Sequence, residues 1–376
     1  MIFKGIPYLQ TILTLLLCGT AFPARAQADS AGRLTLVIRK SSVPTRTASA
    51  VTSQRSNPFP KLRHSKKGYD SRDSILQIGD SHIQAGFFPN EVRENLQREF
   101  GNAGRGLIVP LKLAGTNEPP DYAITSPNSW NRSNCITRAA TEEPGMSGMS
   151  IVTYDRHIEL DIKTKEPFDR IWAFHHREAP LLTVPDSLSD GICCPALDND
   201  EMTLIPLSRP VEQIRLCASV ADSSFAHSAF YGFSLENGRS GVLYHSFGIN
   251  GNTYAAINRN PQIVRQASGL CPDLVIVSLG TNDSYGASFD PADADVQITR
   301  LIDSIRRNMP ASVLLLTTPM EHCRRIRSKG RTYRKPNLNA CAMRNAFCGR
   351  RRYRLPVWDH AAAGGDGAWA DGPISE

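Results

Sequence analysis

The chain has 376 residues, of which 41% are hydrophobic and 21% charged, and a formal net charge of +7. That length holds one large domain or two ordinary ones, and the composition excludes a disordered, collagenous or membrane-embedded chain. The positive charge is local: residues 27–67 hold nine Lys/Arg against Asp29 alone, and residues 324–356 hold twelve Lys/Arg and no acid. With no aromatic-basic module beside these charges, nucleic acid is not an expected partner.

The N-terminus places Lys4 before an apolar run at 12–18 and then Ala24-Arg25-Ala26. A basic residue, a short apolar core and an A-x-A site predict a leader over 1–26, cut after Ala26 or Ala28. The protein is therefore expected to be exported, periplasmic or extracellular, with no membrane span, because the apolar core is too short to cross a bilayer. Residues 27–70 are rich in Ser, Thr, Arg and Pro and read as a basic disordered linker, with one short strand at 34–38.

The chain holds nine cysteines, and Cys18 leaves with the leader. For any one of the rest, a disulfide in an oxidising compartment and a buried free thiol are equally expected, and a chain of this size does not depend on cross-links. Adjacent Cys193-Cys194 is too short for a chelating C-x-x-C, so no metal site is expected. The close glycines at 101–106 lack the Lys-Ser/Thr ending of a phosphate loop and follow a helix, so no cofactor is expected either.

Order begins with a buried strand at 74–78, which runs into Gly79-Asp80-Ser81-His82. Val92, Leu96 and Phe100 fall at helical spacing and predict a helix over 90–100, stopped by Gly101. From 111 to 245 short β-type runs alternate with turns, at 150–154, 158–162, 170–174, 202–205, 213–216 and 230–235. Asn237-Gly238 predicts a hairpin between the last of these and 241–245. The spacing suggests a β-sandwich-like insert. Afterwards the texture is α/β again. Apolar strands at 274–279 and 312–317 flank a helix over 295–308 with apolar positions Val296, Ile298, Leu301, Ile302 and Ile305. A helix at 341–348 and a strand at 355–358 follow. Strands alternating with helices predict a parallel sheet covered on both sides.

Three strings carry chemistry. A serine where a buried strand turns sharply into a helix is held exposed among backbone N–H groups, as a nucleophile requires. Gly248-Ile249-Asn250-Gly251-Asn252-Thr253 follows the insert, and Leu279-Gly280-Thr281-Asn282-Asp283 ends a buried strand. Each string alone is an ordinary turn or helix cap. Their joint occurrence, two of them at strand ends where open sheets bind ligands, outweighs that reading.

Together the three strings resemble the SGNH (GDSL-like) hydrolase superfamily. The run from Phe233 to His245 is similar to an exported bacterial branch with an inserted β-domain, to which peptidoglycan O-acetylesterases belong. The resemblance implies a three-layer α/β/α domain with a parallel flavodoxin-like sheet, formed by 71–110 and 246–376. The β-rich, carbohydrate-binding insert would occupy 111–245. It implies Ser81 as the nucleophile, with an oxyanion hole from the N–H groups of Ser81 and Gly251 and the side-chain amide of Asn282. Asp80 is expected to stabilise the turn.

The resemblance also implies a late Asp-x-x-His, where histidine activates serine and aspartate orients it. Val357-Trp358-Asp359 matches the strand before that block, which would fall directly after Glu376, so the catalytic Asp and His are absent from this chain. The expectation is a fragment of an active esterase, with an inactive relative as the alternative; either way the chain is expected to turn over slowly. No other histidine is assigned the base. His82 should leave the turn in another direction, His360 matches the late strand, and His245 is placed to line the cleft. His157, His175, His176 and His227 fall in the insert, His322 beside the basic segment and His64 in the linker.

The implied function is an exported serine esterase that removes O-acetyl groups from a polysaccharide such as peptidoglycan or a plant glycan. Part of 324–356 would rim the cleft and meet acidic sugars through its arginines. The alternatives are a secreted carbohydrate-binding protein without activity, and a lipase or thioesterase on the same scaffold.

Overall fold

The computed structural model describes residues 72–319, apart from 139–141, 192–193, 197–198, 222–224 and 286–288. It also describes the short segments 25–28, 34–37, 323–328, 331–336, 339–340, 342–343 and 357–358. Most of the expected leader and linker, and the block around Asp359 and His360, lie outside the described residues. In the N-terminal unit, Arg25–Ala28 and Leu34–Val37 form a two-stranded antiparallel sheet.

The second unit is built on a five-stranded parallel sheet: β1 (Arg72–Gly79), β2 (Gly241–Gly248), β3 (Leu274–Ser278), β4 (Val313–Thr317) and β5 (Val357–Trp358). Its order is β2-β1-β3-β4-β5, the flavodoxin-like arrangement. Seven of the eight β1 residues are buried, as an apolar strand covered on both faces must be. Helices α1 (Ser81–Gln84) and α2 (Phe87–Phe100) follow β1, α3 (Tyr254–Asn258) and α4 (Gln262–Ala267) follow β2, and α5 (Thr281–Tyr285) and α6 (Pro291–Asn308) follow β3.

Helix α2 buries Val92, Leu96 and Phe100 as the spacing requires, and it starts one turn earlier than the apolar pattern alone indicates. Helix α6 also starts early. Asp290 caps it by accepting from the Ala292 N–H at 2.9 Å, and Pro291 takes the first position, where its missing N–H costs nothing. Ile298, Leu301, Ile302 and Ile305 are buried, but Val296 is 45% exposed. It lies two residues from Ile298, about 200° away around the helix, and so faces away from the buried stripe.

The insert forms one eight-stranded antiparallel sheet. Its two longest strands, His157–His175 and Asn199–Ser219, pair along most of their length, with register shifts between Pro206 and Gln213. Each therefore joins two of the short runs seen in the sequence. Asn237-Gly238 does not close a hairpin. The strand before it, Ser228–Glu236, pairs with His157–His175, while β2 after it pairs in parallel with β1. The chain changes sheets at that turn, and residues 241–245, expected in the insert, belong to the parallel sheet.

A single buried apolar cluster runs from Leu76 and Ile78 of β1 through Ile158 and Phe230 of the insert to Ile302 of α6. The insert is thus packed into the same core, not appended to it. Among the described residues no helix is long and apolar enough to cross a membrane. The basic segment after β4 includes an antiparallel pair, Cys323–Ser328 with Arg331–Pro336.

Candidate active site

The carboxyl ends of three adjacent strands, β2, β1 and β3, are level. Gly79 of β1 is the register partner of Gly248 in β2 and of Ser278 in β3. Order reverses between β1 and β3, and open sheets leave a crevice at such a reversal. The segments leaving these ends carry Ser81, Gly251 and Asn282, so the fold brings the three sequence-indicated residues to one end of the sheet.

Asp80 is 2% exposed and caps α1. Its Oδ1 accepts from the His82 backbone N–H at 3.0 Å and faces His82 Nδ1 at 2.9 Å. The cap makes Ser81 the first residue of α1, partly exposed, with its own N–H free of an intrahelical partner. Among the described residues no hydrogen bond engages the Ser81 N–H or hydroxyl, or the Gly251 N–H. Gly251 has φ +82°, a left-handed conformation that glycine adopts without strain. Gly248 permits close approach: a Cβ there would lie 2.3 Å from the Asp80 carbonyl oxygen.

Asn282 donates from Nδ2 to the main-chain oxygen of Asn252 at 3.0 Å, which leaves its second amide hydrogen uncommitted to that bond. Asp283 Oδ1 accepts the Tyr254 N–H at 3.0 Å and so joins the start of α3 to α5. Burial pushes the Asp283 carboxyl up to about 7, and the nearby Asp80 charge adds to the shift. His82 is raised above its ordinary value, first by its hydrogen bond to Asp80.

Two residues without a role in the sequence reading tie the site together. Gln84 accepts the Asn250 N–H on Oε1 at 2.7 Å and donates to Thr116 Oγ1 and the Asn117 oxygens. Asn250 Nδ2 also donates to Thr116 and Asn117, so this part of the chain braces the glycine loop. The second residue is Asn252, fully buried beside Gly251. Its adjacency to Gly251 was visible in the sequence, but its partners were not.

Among the described residues, no histidine other than the adjacent His82 is seen to converge on Ser81. His82 turns back to Asp80. His245 does not line the cleft: it is fully buried and its Nδ1 accepts the Leu107 N–H at 3.1 Å. His175 bonds Thr203, and His157 contacts Ser219 and Glu159. His227 faces Glu142, and His176 lies beside His227 in the insert. His64, His322 and His360 lie outside the described residues. Among the described residues no cluster of His, Cys, Asp or Glu is arranged to hold a metal ion.

A separate cavity of about 480 Å³ lies along α2, lined among others by Arg93, Arg105, Asp121 and Glu166. None of its lining residues belongs to the segments that carry Ser81, Gly251 and Asn282. Arg93 and Arg105 share Asp121, with contacts of 3.2 and 2.9 Å, and Arg93 also pairs with Glu166. Burial opposes ionisation of Asp121, but the two arginines outweigh it and hold the carboxyl below its ordinary value.

Residues 222–374 match the GDSL-like lipase/acylhydrolase family. The matched segment contains Gly251 and Asn282, while Ser81 precedes it and reaches them through β1. Among solved structures, a peptidoglycan O-acetylesterase is similar at 19% identity and TM-score 0.61, covering 80% of this chain and 81% of its own. A putative acylhydrolase from Bacteroides fragilis aligns at 19% identity and TM-score 0.27, over 33% of this chain and 59% of its own. A family two carbohydrate esterase from Cellvibrio japonicus aligns at 11% identity and TM-score 0.24, over 67% and 87%. No curated protein matches the chain.

Proposed function

We propose that the chain is an exported serine esterase removing O-acetyl groups from a polysaccharide, a reading supported by the match of residues 222–374 to the GDSL-like lipase/acylhydrolase family. Peptidoglycan is the first candidate substrate. The observation that carries the reading is the convergence of Ser81, Gly251 and Asn282 at the level ends of β1, β2 and β3.

In this reading Ser81 Oγ attacks the acetyl carbonyl. The C–O π bond breaks toward oxygen, and the resulting oxyanion takes hydrogen bonds from the Ser81 and Gly251 N–H groups and from Asn282 Nδ2. Each such donor is worth about 3–4 kcal/mol of barrier. Collapse expels the sugar oxygen, which takes up the proton removed from Ser81 and leaves as a hydroxyl, and water then hydrolyses the acetyl ester on Ser81 to acetate. The serine proton needs a base, and the proposal assigns that role to no described residue.

A polysaccharide substrate is supported by the antiparallel insert, whose Thr116 and Asn117 brace the Gly251 loop from one side. It is also supported by fold similarity to a peptidoglycan O-acetylesterase over four fifths of both chains. Phe87, 76% exposed at the start of α2, and Tyr285, 50% exposed at the end of the helix that carries Asn282, offer aromatic rings near the same strand ends. Sugars stack on such rings.

The test is acetate release from O-acetylated peptidoglycan, acetylated xylan and a long-chain acyl ester by the wild type and Ser81→Ala. The proposal expects release from an acetylated glycan that Ser81→Ala abolishes, and little turnover of the long-chain ester. Preference for the long-chain ester would make the protein a lipase. Glycan binding without release, unchanged in Ser81→Ala, would make it a binding protein.

A further inference from the structure

We infer that Asn252 is the positioning residue that locks the three oxyanion donors into one unit, and that Cys135 of the insert holds Asn252 in place. The inference rests on the esterase reading above and adds to it a residue that touches neither substrate nor nucleophile.

Asn252 is fully buried, and its polar atoms are divided among three segments. Its Nδ2 donates to the Gly79 carbonyl oxygen at 3.0 Å, at the end of β1 two residues before Ser81. Its own main-chain oxygen accepts from Asn282 Nδ2 at 3.0 Å. Its backbone continues directly from Gly251. One residue therefore fixes the spacing of the serine turn, the glycine loop and the asparagine amide.

The orientation of the Asn252 amide is not arbitrary. Oδ1 accepts the Thr253 backbone N–H at 3.0 Å while Nδ2 faces a carbonyl oxygen, so exchanging O and N would oppose like groups at both ends. The second acceptor position of Oδ1 takes the Cys135 thiol, with Sγ 3.6 Å away. Burial pushes that thiol up to about 12, so it stays protonated and able to donate. The Cys135 carbonyl oxygen in turn accepts from Asn260 Nδ2 at 3.3 Å, just beyond α3. The insert thus bears on the glycine loop from behind as well as through Thr116 and Asn117. Oxyanion donors stabilise charge only when prearranged, and a loop free to drift by about 1 Å loses much of that benefit.

The test compares wild type, Asn252→Asp, Cys135→Ala and Ser81→Ala, reading kcat and KM for an aryl acetate from pH 5.5 to 8.5 together with Tm. Asn252→Asp keeps the shape but sets a carboxylate oxygen against the Gly79 oxygen. At high pH its kcat should fall about tenfold or more with KM nearly unchanged. As pH falls, the new carboxyl protonates, can donate to Gly79 again, and the ratio of variant to wild-type kcat should climb. Asp80 and Asp283, the carboxylates of the same strand ends, are common to both proteins and drop out of that ratio. Cys135→Ala should lower kcat about threefold at unchanged KM. It serves as the reporter if Asn252→Asp does not fold.

Wild-type kcat in a folded Asn252→Asp at pH 8.5 would overturn the inference. So would a loss that tracks Tm with no recovery at low pH, or an unaltered Cys135→Ala. Ser81→Ala separates the two levels. If it retains hydrolysis, the esterase reading itself fails; if it is inactive while Asn252→Asp is unimpaired, only the role of Asn252 fails.

Discussion

Gly79 and Ser278 face each other as register partners across the seam between β1 and β3. Two residues beyond the first lies Ser81, and four beyond the second lies Asn282. Parallel pairing therefore delivers Ser81 and the Asn282 side-chain amide to the same end of the sheet from positions about two hundred residues apart.

Removing the amide should expose its role. Asn282→Ala is expected to lower kcat for an aryl acetate by about 10²- to 10³-fold with KM little changed, as for loss of one oxyanion donor. Steady-state kinetics checks this. A matched rise in KM with kcat preserved would place Asn282 in ground-state binding instead.

Asp283 predicts a pH-dependent stability. Its folded pKa of about 7 lies above the ordinary 3.8, so the folded state keeps a proton that the unfolded chain has lost. Folding stability then falls as pH rises from about 4 to 7. Asp283→Asn, which can still accept the Tyr254 N–H, should gain on the wild type over that window. Urea unfolding at pH 4.5 and 8 measures it, and a gain confined to pH 4.5 would contradict the burial argument.

His82 carries the same sign at a higher pH. Its folded pKa is raised above 6.5 by Asp80, so the stability it contributes is complete below about pH 6.5 and is lost as pH rises through the folded value. His82→Gln should cost more at pH 5 than at pH 9. A side-chain NMR titration should show the His82 value fall in Asp80→Asn.

The fold was legible where one physical signal dominated. Apolar runs identified β1, β3 and β4, and the 92, 96, 100 spacing identified α2. The hairpin at Asn237-Gly238 failed because a turn dipeptide fixes a change of direction and not the partner of the next strand. Here the Val242 N–H and carbonyl oxygen bond to Gly101 and Ala103 while the strand pairs with β1. After β4, Cys323–Ser328 pairs antiparallel with Arg331–Pro336, strands whose density of arginine leaves no apolar alternation to read. Ser81, Gly251 and Asn282 were accessible through motif strings. Asn252 and Gln84 were not, because their significance lies in partners contributed by distant loops.

The buried charges along α2 predict a stability effect independent of the chemistry. Asp121→Leu would strand Arg93 and Arg105, each about 3% exposed at the side chain, and should cost about 3–5 kcal/mol. Denaturant unfolding measures the loss. A cost near zero would show that Glu166 and Asn102 re-satisfy the arginines.

The most direct test of the central claim is intact mass after reaction with a fluorophosphonate, followed by peptide mapping. The account predicts one adduct, on Ser81, absent from Ser81→Ala and formed more slowly in Asn282→Ala. An adduct on a different serine, or none on the folded protein, would contradict the assignment of Ser81 as the nucleophile.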